Sequence, residues 1–402
     1  MKEKPEILFL CHRIPYPPNK GDKIRSWRLF RHLTRRYKVH LACFVDDKSD
    51  LIHTKKLREM CASAIFVSLN PSLARLKSTI GIITGEALSF PYYRYGEMKR
   101  WVNNTRARNL VAEIAFSSTM AQYVAEPVPG CPRIVDFCDA DSEKWRHYAA
   151  QISGPMSWIY AREGSALSVA ETMIANWADA SFAITPDEAA IFNTRKDITR
   201  HVHWWSNGVD TDYFDPTLNL ETEVKGADIV FTGAMDYRAN IDAVLNFVCD
   251  VWPQIREAIP HATFAVVGAR PAKPIQALDK NAGITVTGRV DDVRPWLKQA
   301  QLVVAPMRVA RGIQNKVLEG MAMARPVVAS PEAVIGITVR NGEAICIGDS
   351  APETVELIIR LMNDPAERRR IGDNARAAVL AHYNWEEQLD RFSQAFEATL
   401  SD

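Results

Sequence analysis

Short apolar runs alternate along the chain with longer stretches whose apolar residues recur every three or four positions, the pattern of parallel strands covered by helices on both faces. In the first half the strand candidates are EILFLC (6–11), KVHLACF (38–44), AIFVSL (64–69), RIVDF (133–137) and ASFAIT (180–185). In the second half they are DIVFTG (228–233), TFAVVG (263–268), ITVTG (284–288), LVVAP (302–306) and PVVAS (326–330). Between the two sets lies WWSNGVDTDYFDP (204–216), whose Asn-Gly pair, aromatic residues and Pro predict a turn-rich joint. The expectation is an α/β chain of two Rossmann-like domains, 1–206 and 207–383, with parallel sheets facing across a cleft. Ligands of open α/β sheets bind at the carboxyl ends of the strands, so the loops that follow them are where chemistry is sought.

A length of 402 residues supports two such domains at ~150 residues each. With 47% hydrophobic and 24% charged residues, the composition excludes disorder, collagen and a disulfide miniprotein. The opening apolar stretch EILFLC is too short for a spanning helix, and HRIPYPP matches no signal-peptide cleavage region, so a cytoplasmic location is expected. Seven cysteines without a CxxC pair predict reduced thiols and no zinc site. The net charge of +1 conceals an asymmetry: Met1 to Leu110 carries 22 Lys and Arg against 9 Asp and Glu, and the rest carries 27 against 39. A basic third of this kind fits a surface that meets phosphates of a small ligand, an anionic lipid or nucleic acid. No aromatic-interleaved or recognition motif supports nucleic acid.

Five post-strand loops hold candidate chemistry. In HRIPYPPNKGDKIRSWR, Gly21 would let a ligand approach the backbone at a helix start, and Arg25 favours a functional over a merely solvated helix. DFCDADSEKW clusters Asp136, Asp139 and Asp141; Asp139 is the preferred catalytic carboxylate, while Asp141 or Ser142 is equally readable as a helix cap. Gly233 ends DIVFTG, and Arg238 offers a planar fork to phosphate just before a long helix; Gly288 and Arg289 follow ITVTG. Finally, LVVAPMRVARGIQNKVLEGMA gathers Arg308, Arg311 and Lys316 around Gly312, Ile313, Gln314 and Asn315. Basic residues in a first helical turn oppose the helix dipole unless an anion binds there, which points to a diphosphate site. Glu319, one turn on, could hold the vicinal hydroxyls of a ribose or pair with Lys316.

At these residues the sequence resembles family 4 glycosyltransferases of the GT-B fold. SNGVDTDYFDP is similar to their interdomain signature, VFTGAMDYRANIDAVLNF to the opening of their nucleotide-binding domain, and NKVLEGMAMARPVVAS to their donor-site helix. The tail YNWEEQLDRFSQAFEATL resembles their last helix, which implies that 384–402 returns to complete the first domain. HRIPYPPNKGDKIRSWR, DFCDADSEKW and RGIQNKVLEGMA further resemble the sugar transferases of exosortase/PEP-CTERM exopolysaccharide systems.

The resemblance implies retaining, metal-independent transfer from a UDP- or GDP-sugar to a glycan or polyprenyl-linked acceptor. It assigns the ribose to Glu319, the diphosphate to Gly312 through Lys316 and the loop after DIVFTG, and places Gly21 near phosphate and acceptor. Arg311 stands where the family often carries a second glutamate, and Ala234 and Ala239 stand nearest its usual Arg and Lys pair, leaving Arg238, Arg289 or Arg308 as substitutes. A nucleotide-sugar 2-epimerase and a non-enzymatic assembly factor are the competing readings. The stretch PSLARLKSTIGIITGEALSFPYYRYGEMKRW mixes basic, apolar and aromatic residues, which fits either the face of an anionic membrane or an ordinary helical connection in the first domain.

Overall fold

The structure, a computed structural model, describes residues 4–220, 224–310 and 312–401. The chain divides into two compact units, the first running to Trp205 and taking in the residues from Leu389 onward, the second spanning Ser206–Gln388.

In the first unit, β1 (Glu6–Cys11), β2 (Lys38–Val45), β3 (Ser63–Ser68), β4 (Leu110–Phe116), β5 (Arg133–Cys138), β6 (Ala180–Ala183) and β7 (Val202–Trp204) form one sheet. Its order is β3-β2-β1-β4-β5-β6-β7, every pairing parallel. In the second unit, β8 (Ile229–Thr232), β9 (Phe264–Val267), β10 (Ile284–Gly288), β11 (Leu302–Ala305), β12 (Val327–Ala329) and β13 (Cys346–Ile347) follow the order β10-β9-β8-β11-β12-β13, again all parallel. Strands buried on both faces need continuous apolar runs, and β1 and β11 supply them: Ile7 to Cys11 and Leu302 to Ala305 are fully buried.

Three strands fall outside the apolar runs. β4 carries Glu113 in its middle, a carboxylate buried against Arg106, so its sequence does not read as an uninterrupted buried strand. β7 and β13 are only three and two residues long, and β7 takes Trp204 out of the expected joint.

Each sheet reverses its strand order once, between β1 and β4 in the first unit and between β8 and β11 in the second. Chain connections leave these two neighbours in opposite directions and open a crevice at their carboxyl ends. The helix Trp385–Ser401 contributes Phe392 and Phe396 to the first unit, where they meet Phe182, Trp205 and Tyr37.

Candidate functional site

The crevice of the second unit is built from glycines and one buried lysine. Gly233 and Gly268 end β8 and β9, and their backbones touch so closely that a Cβ on Gly268 would lie 1.7 Å from the Gly233 carbonyl. A Cβ on Gly233 would in turn lie 2.7 Å from Asn240 Nδ2, so both positions require glycine. After β11 the chain turns through Gly312, whose φ of 61° is left-handed and favours glycine, and enters the helix Asn315–Ala322. Among the described residues that helix has no side-chain cap and no acid in its first turn, so its positive dipole end favours an anion.

Lys316 lies in this first turn, 7% exposed. Its ammonium donates to Asn240 Oδ1 at 2.6 Å, lies 3.5 Å from Met307 Sδ and sits 4.6 Å above the Phe231 ring. Asn240 is fixed for that role because its amide nitrogen donates to the Ala234 carbonyl at 2.9 Å. Among the described residues no carboxylate lies within ion-pairing distance of Lys316. Burial lowers its pKa well below the ordinary lysine value, with the charge of Glu319 opposing the shift. Glu319, one turn on and half-buried, is pushed up by burial and pulled back by Lys316. It shares a helix face with Asn315, whose Oδ1 lies 3.5 Å from the Asn207 amide. Such a set offers a cation and amides to a diphosphate and a carboxylate to a diol.

The remaining cations are spread around the crevice. Arg238, which is exposed, opens the helix Arg238–Asn246. Arg308 is exposed and donates to Asn246 Oδ1 at 2.8 Å, which ties the loop after β11 to that same helix. Arg289 is exposed just after β10, which β9 separates from β8. Ile313 is buried, Gln314 precedes the helix, and Arg311 lies outside the described residues.

In the first unit Arg25 proves structural. Its guanidinium donates to both oxygens of Asp136 at 3.1 and 3.2 Å and to the Trp205 carbonyl at 2.7 Å, and lies 3.4 Å over the Trp205 ring. Asp136 also accepts from Trp205 Nε1 and the Cys138 amide, which leaves neither residue free for a ligand.

Gly21 opens the helix Gly21–Arg36 without a positive φ, and open space surrounds it, so the turn itself does not demand a glycine there. Neither Asp141 nor Ser142 caps the helix Asp141–Gln151. Glu188 and Glu171, from other helices, accept from the Ala140 and Ser142 amides instead. Asp139 is half-buried at the end of β5.

One polar cluster, at the β1 end of the first crevice, escapes a reading of the sequence alone. His12 Nε2 is 3.1 Å from Asp22 Oδ2, and Arg13 reaches Asp22 at 2.8 Å and Asp46, just after β2, at 3.0 Å. Burial alone would raise the Asp22 pKa, but the hydrogen bond and charge of His12, with Arg13, hold it far below the usual carboxylate range. A signal does exist: His12 and Arg13 directly follow the first strand. Among the described residues, no group of three or more His, Cys, Asp or Glu is disposed to hold a metal ion.

Residues 226–364, most of the second unit, match the family of glycosyl transferases group 1. An uncharacterized glycosyltransferase of Methanocaldococcus jannaschii, MJ1069, is 26% identical over 42% of this chain and 44% of its own length. A GDP-mannose-dependent monoacylated alpha-(1-6)-phosphatidylinositol monomannoside mannosyltransferase of Corynebacterium glutamicum is 27% identical over 48% and 55%. The chain thus spans about half the length of the curated relatives it matches.

Among solved structures, sucrose-phosphate synthase of Thermosynechococcus elongatus superposes with a TM-score of 0.72 at 17% identity, covering 99% of this chain and 100% of that one. Anabaena HepE in complex with UDP and glucose gives 0.67 at 13%, covering 98% and 99%. The fold is that of the GT-B glycosyltransferases.

Proposed function

We propose that the protein transfers a glycosyl group from a UDP- or GDP-sugar to a glycan or polyprenyl-linked acceptor, with retention and without a bound metal, in exopolysaccharide synthesis. The observation that carries this reading is Lys316, a buried ammonium held by one amide oxygen, a sulfur and a ring face at an uncapped helix start. Burying a cation with so few partners costs stability, and the cost is offset when an anion binds beside it.

Breaking the bond between the anomeric carbon and the diphosphate oxygen develops negative charge on the leaving diphosphate. Lys316 and the amides of Gly312, Ile313, Gln314 and Asn315 stabilise that charge, and they are held in place before reaction by Asn240 and the helix. Gly233 leaves room for the Asn240 side chain that holds Lys316, since a Cβ there would lie 2.7 Å from Asn240 Nδ2. Arg238 and Arg308, with Arg289 at the sheet edge, supply the outer positive field. Glu319 receives the ribose hydroxyls. Asp139 accepts a hydrogen bond from a sugar hydroxyl, and Gly21 leaves the end of β1 open to the acceptor.

A thermal-shift series with UDP, GDP and their sugars tests the reading. One of them at 100 times its dissociation constant should stabilise the protein by about 2.7 kcal/mol. With the matching donor and an added acceptor, a glycosylated product should form in the presence of a chelator. Release of an altered nucleotide sugar without acceptor would contradict transfer, and absence of any nucleotide binding would contradict the site.

A further inference from the structure

The segment after β3 is built inside out. The helices Pro71–Ser78 and Ile80–Thr84 turn Ala74 and Gly81 inward, while Leu73, Leu76, Ile80 and Ile83 stand exposed at spacings of three and four. Leu76 is 72% exposed and Ile83 87%. A connection that merely packs on its domain buries its large apolar residues, as the helix Gly21–Arg36 does with Trp27, Leu29, Phe30 and Leu33.

Polar contacts from the helix Pro155–Trp177 hold the segment instead. Arg162 donates to the Gly81 and Glu86 carbonyls, and the buried Glu163 accepts from the Leu88 amide at 2.6 Å and the Ser89 amide at 2.9 Å. The outward residues are therefore not needed to fix the segment. One turn before Arg162, on the same helix face, Trp158 is 61% exposed, and Val169 and Met173 extend that face.

Charge identifies what covers this surface. Residues 71–85 contain Arg75 and Lys77 and no acid, and the first acid beyond, Glu86, is paired with Arg94. Large aliphatic residues beside exposed cations, with a tryptophan at the margin, fit the boundary between phosphate headgroups and acyl chains. No helix among the described residues is long and apolar enough to cross a membrane.

We infer that helices Pro71–Ser78 and Ile80–Thr84, with Trp158, form a docking face for an anionic phospholipid surface. Leu76, Ile80 and Ile83 enter the acyl boundary, and Arg75 and Lys77 lie at the phosphates. The inference deepens the reading of a lipid-linked acceptor, but it stands on this surface and is read out separately from nucleotide binding.

Flotation of the full chain with phosphatidylcholine vesicles, with and without phosphatidylglycerol, tests it. The protein should float with anionic vesicles, less so at high salt. Leu76→Ser with Ile83→Ser should weaken binding about tenfold or more. Arg75→Gln and Lys77→Gln should each weaken it about fivefold. All variants should keep the wild-type melting temperature and nucleotide binding, since the altered side chains are exposed. Failure of the wild type to float, or equal flotation by the double serine variant, would overturn the inference. So would a concentration-dependent dimer that the serines abolish without any vesicle binding, since the face would then belong to a second copy of the chain.

Discussion

Two buried cations, one in each unit, show how differently a fold can treat a positive charge. Arg25 is matched by a carboxylate gripped from four directions, by a carbonyl and by an indole face. Lys316 is given one amide oxygen, one sulfur and one ring. A fully satisfied charge contributes to architecture, whereas a charge buried with spare hydrogen-bonding capacity raises the energy of the empty protein and is relieved by an anionic ligand. The same distinction separates Asp136, whose oxygens are all engaged, from Glu319, to whose carboxylate the described residues supply no hydrogen bond.

The largest contrast should come from alanine. Lys316→Ala should lower kcat by about 10²–10³ with an unchanged circular dichroism spectrum, as expected for loss of a preorganised cation at the leaving group. Arg25→Ala should instead cost about 3–5 kcal/mol in denaturant unfolding, because it strands Asp136 without its partner. Methionine sharpens the comparison. Lys316→Met should raise stability by about 0.5–2 kcal/mol while abolishing nucleotide binding, and Arg25→Met should destabilise. If Lys316→Met unfolded the protein as Arg25→Met does, the two cations would be equivalent and the functional distinction would fail.

A smaller effect is expected at the neighbouring carboxylate. Glu319→Gln should weaken a nucleoside diphosphate by about 1–3 kcal/mol more than it changes the binding of inorganic pyrophosphate in calorimetry, since only the former carries a ribose. The pH dependence follows from the two shifts. The Lys316 pKa is lowered in the free protein, so affinity for a diphosphate falls as pH rises through that lowered value, by up to about tenfold per unit until the bound-state value is reached. The Glu319 pKa is raised, so its share of ribose affinity is lost as pH falls through the raised value. Affinity should therefore peak near neutrality, and a titration flat from pH 6 to about 9 would contradict both shifts. Least affected should be Arg308→Ala, below about 1 kcal/mol in binding, because Arg308 is exposed and already engaged by Asn246.

Much of the fold and part of the site are legible in the amino-acid sequence. β1, β11 and their neighbours announce themselves because strands buried on both faces must be apolar throughout, and the helix Asn315–Ala322 because its basic first turn contradicts its dipole. Glu113 hides β4, since its partner Arg106 comes from another element. Arg25 looks functional in sequence because its partner Asp136 lies 111 positions away, and nothing local reveals that the two meet. Local reading misplaces the cap of the helix Asp141–Gln151 for the same reason, since Glu171 and Glu188 reach it from elsewhere in the chain. Local chemistry names the loops, and long-range pairing decides which of their charges remain available.

The most direct measurement is calorimetric titration of UDP and GDP into the wild type and Lys316→Met at pH 8, in two buffers of different ionisation enthalpy. The wild type should bind one of them with uptake of a proton as Lys316 becomes fully charged, and Lys316→Met should show no binding heat. Equal affinity in both proteins, or binding to the wild type without proton uptake, would contradict the account.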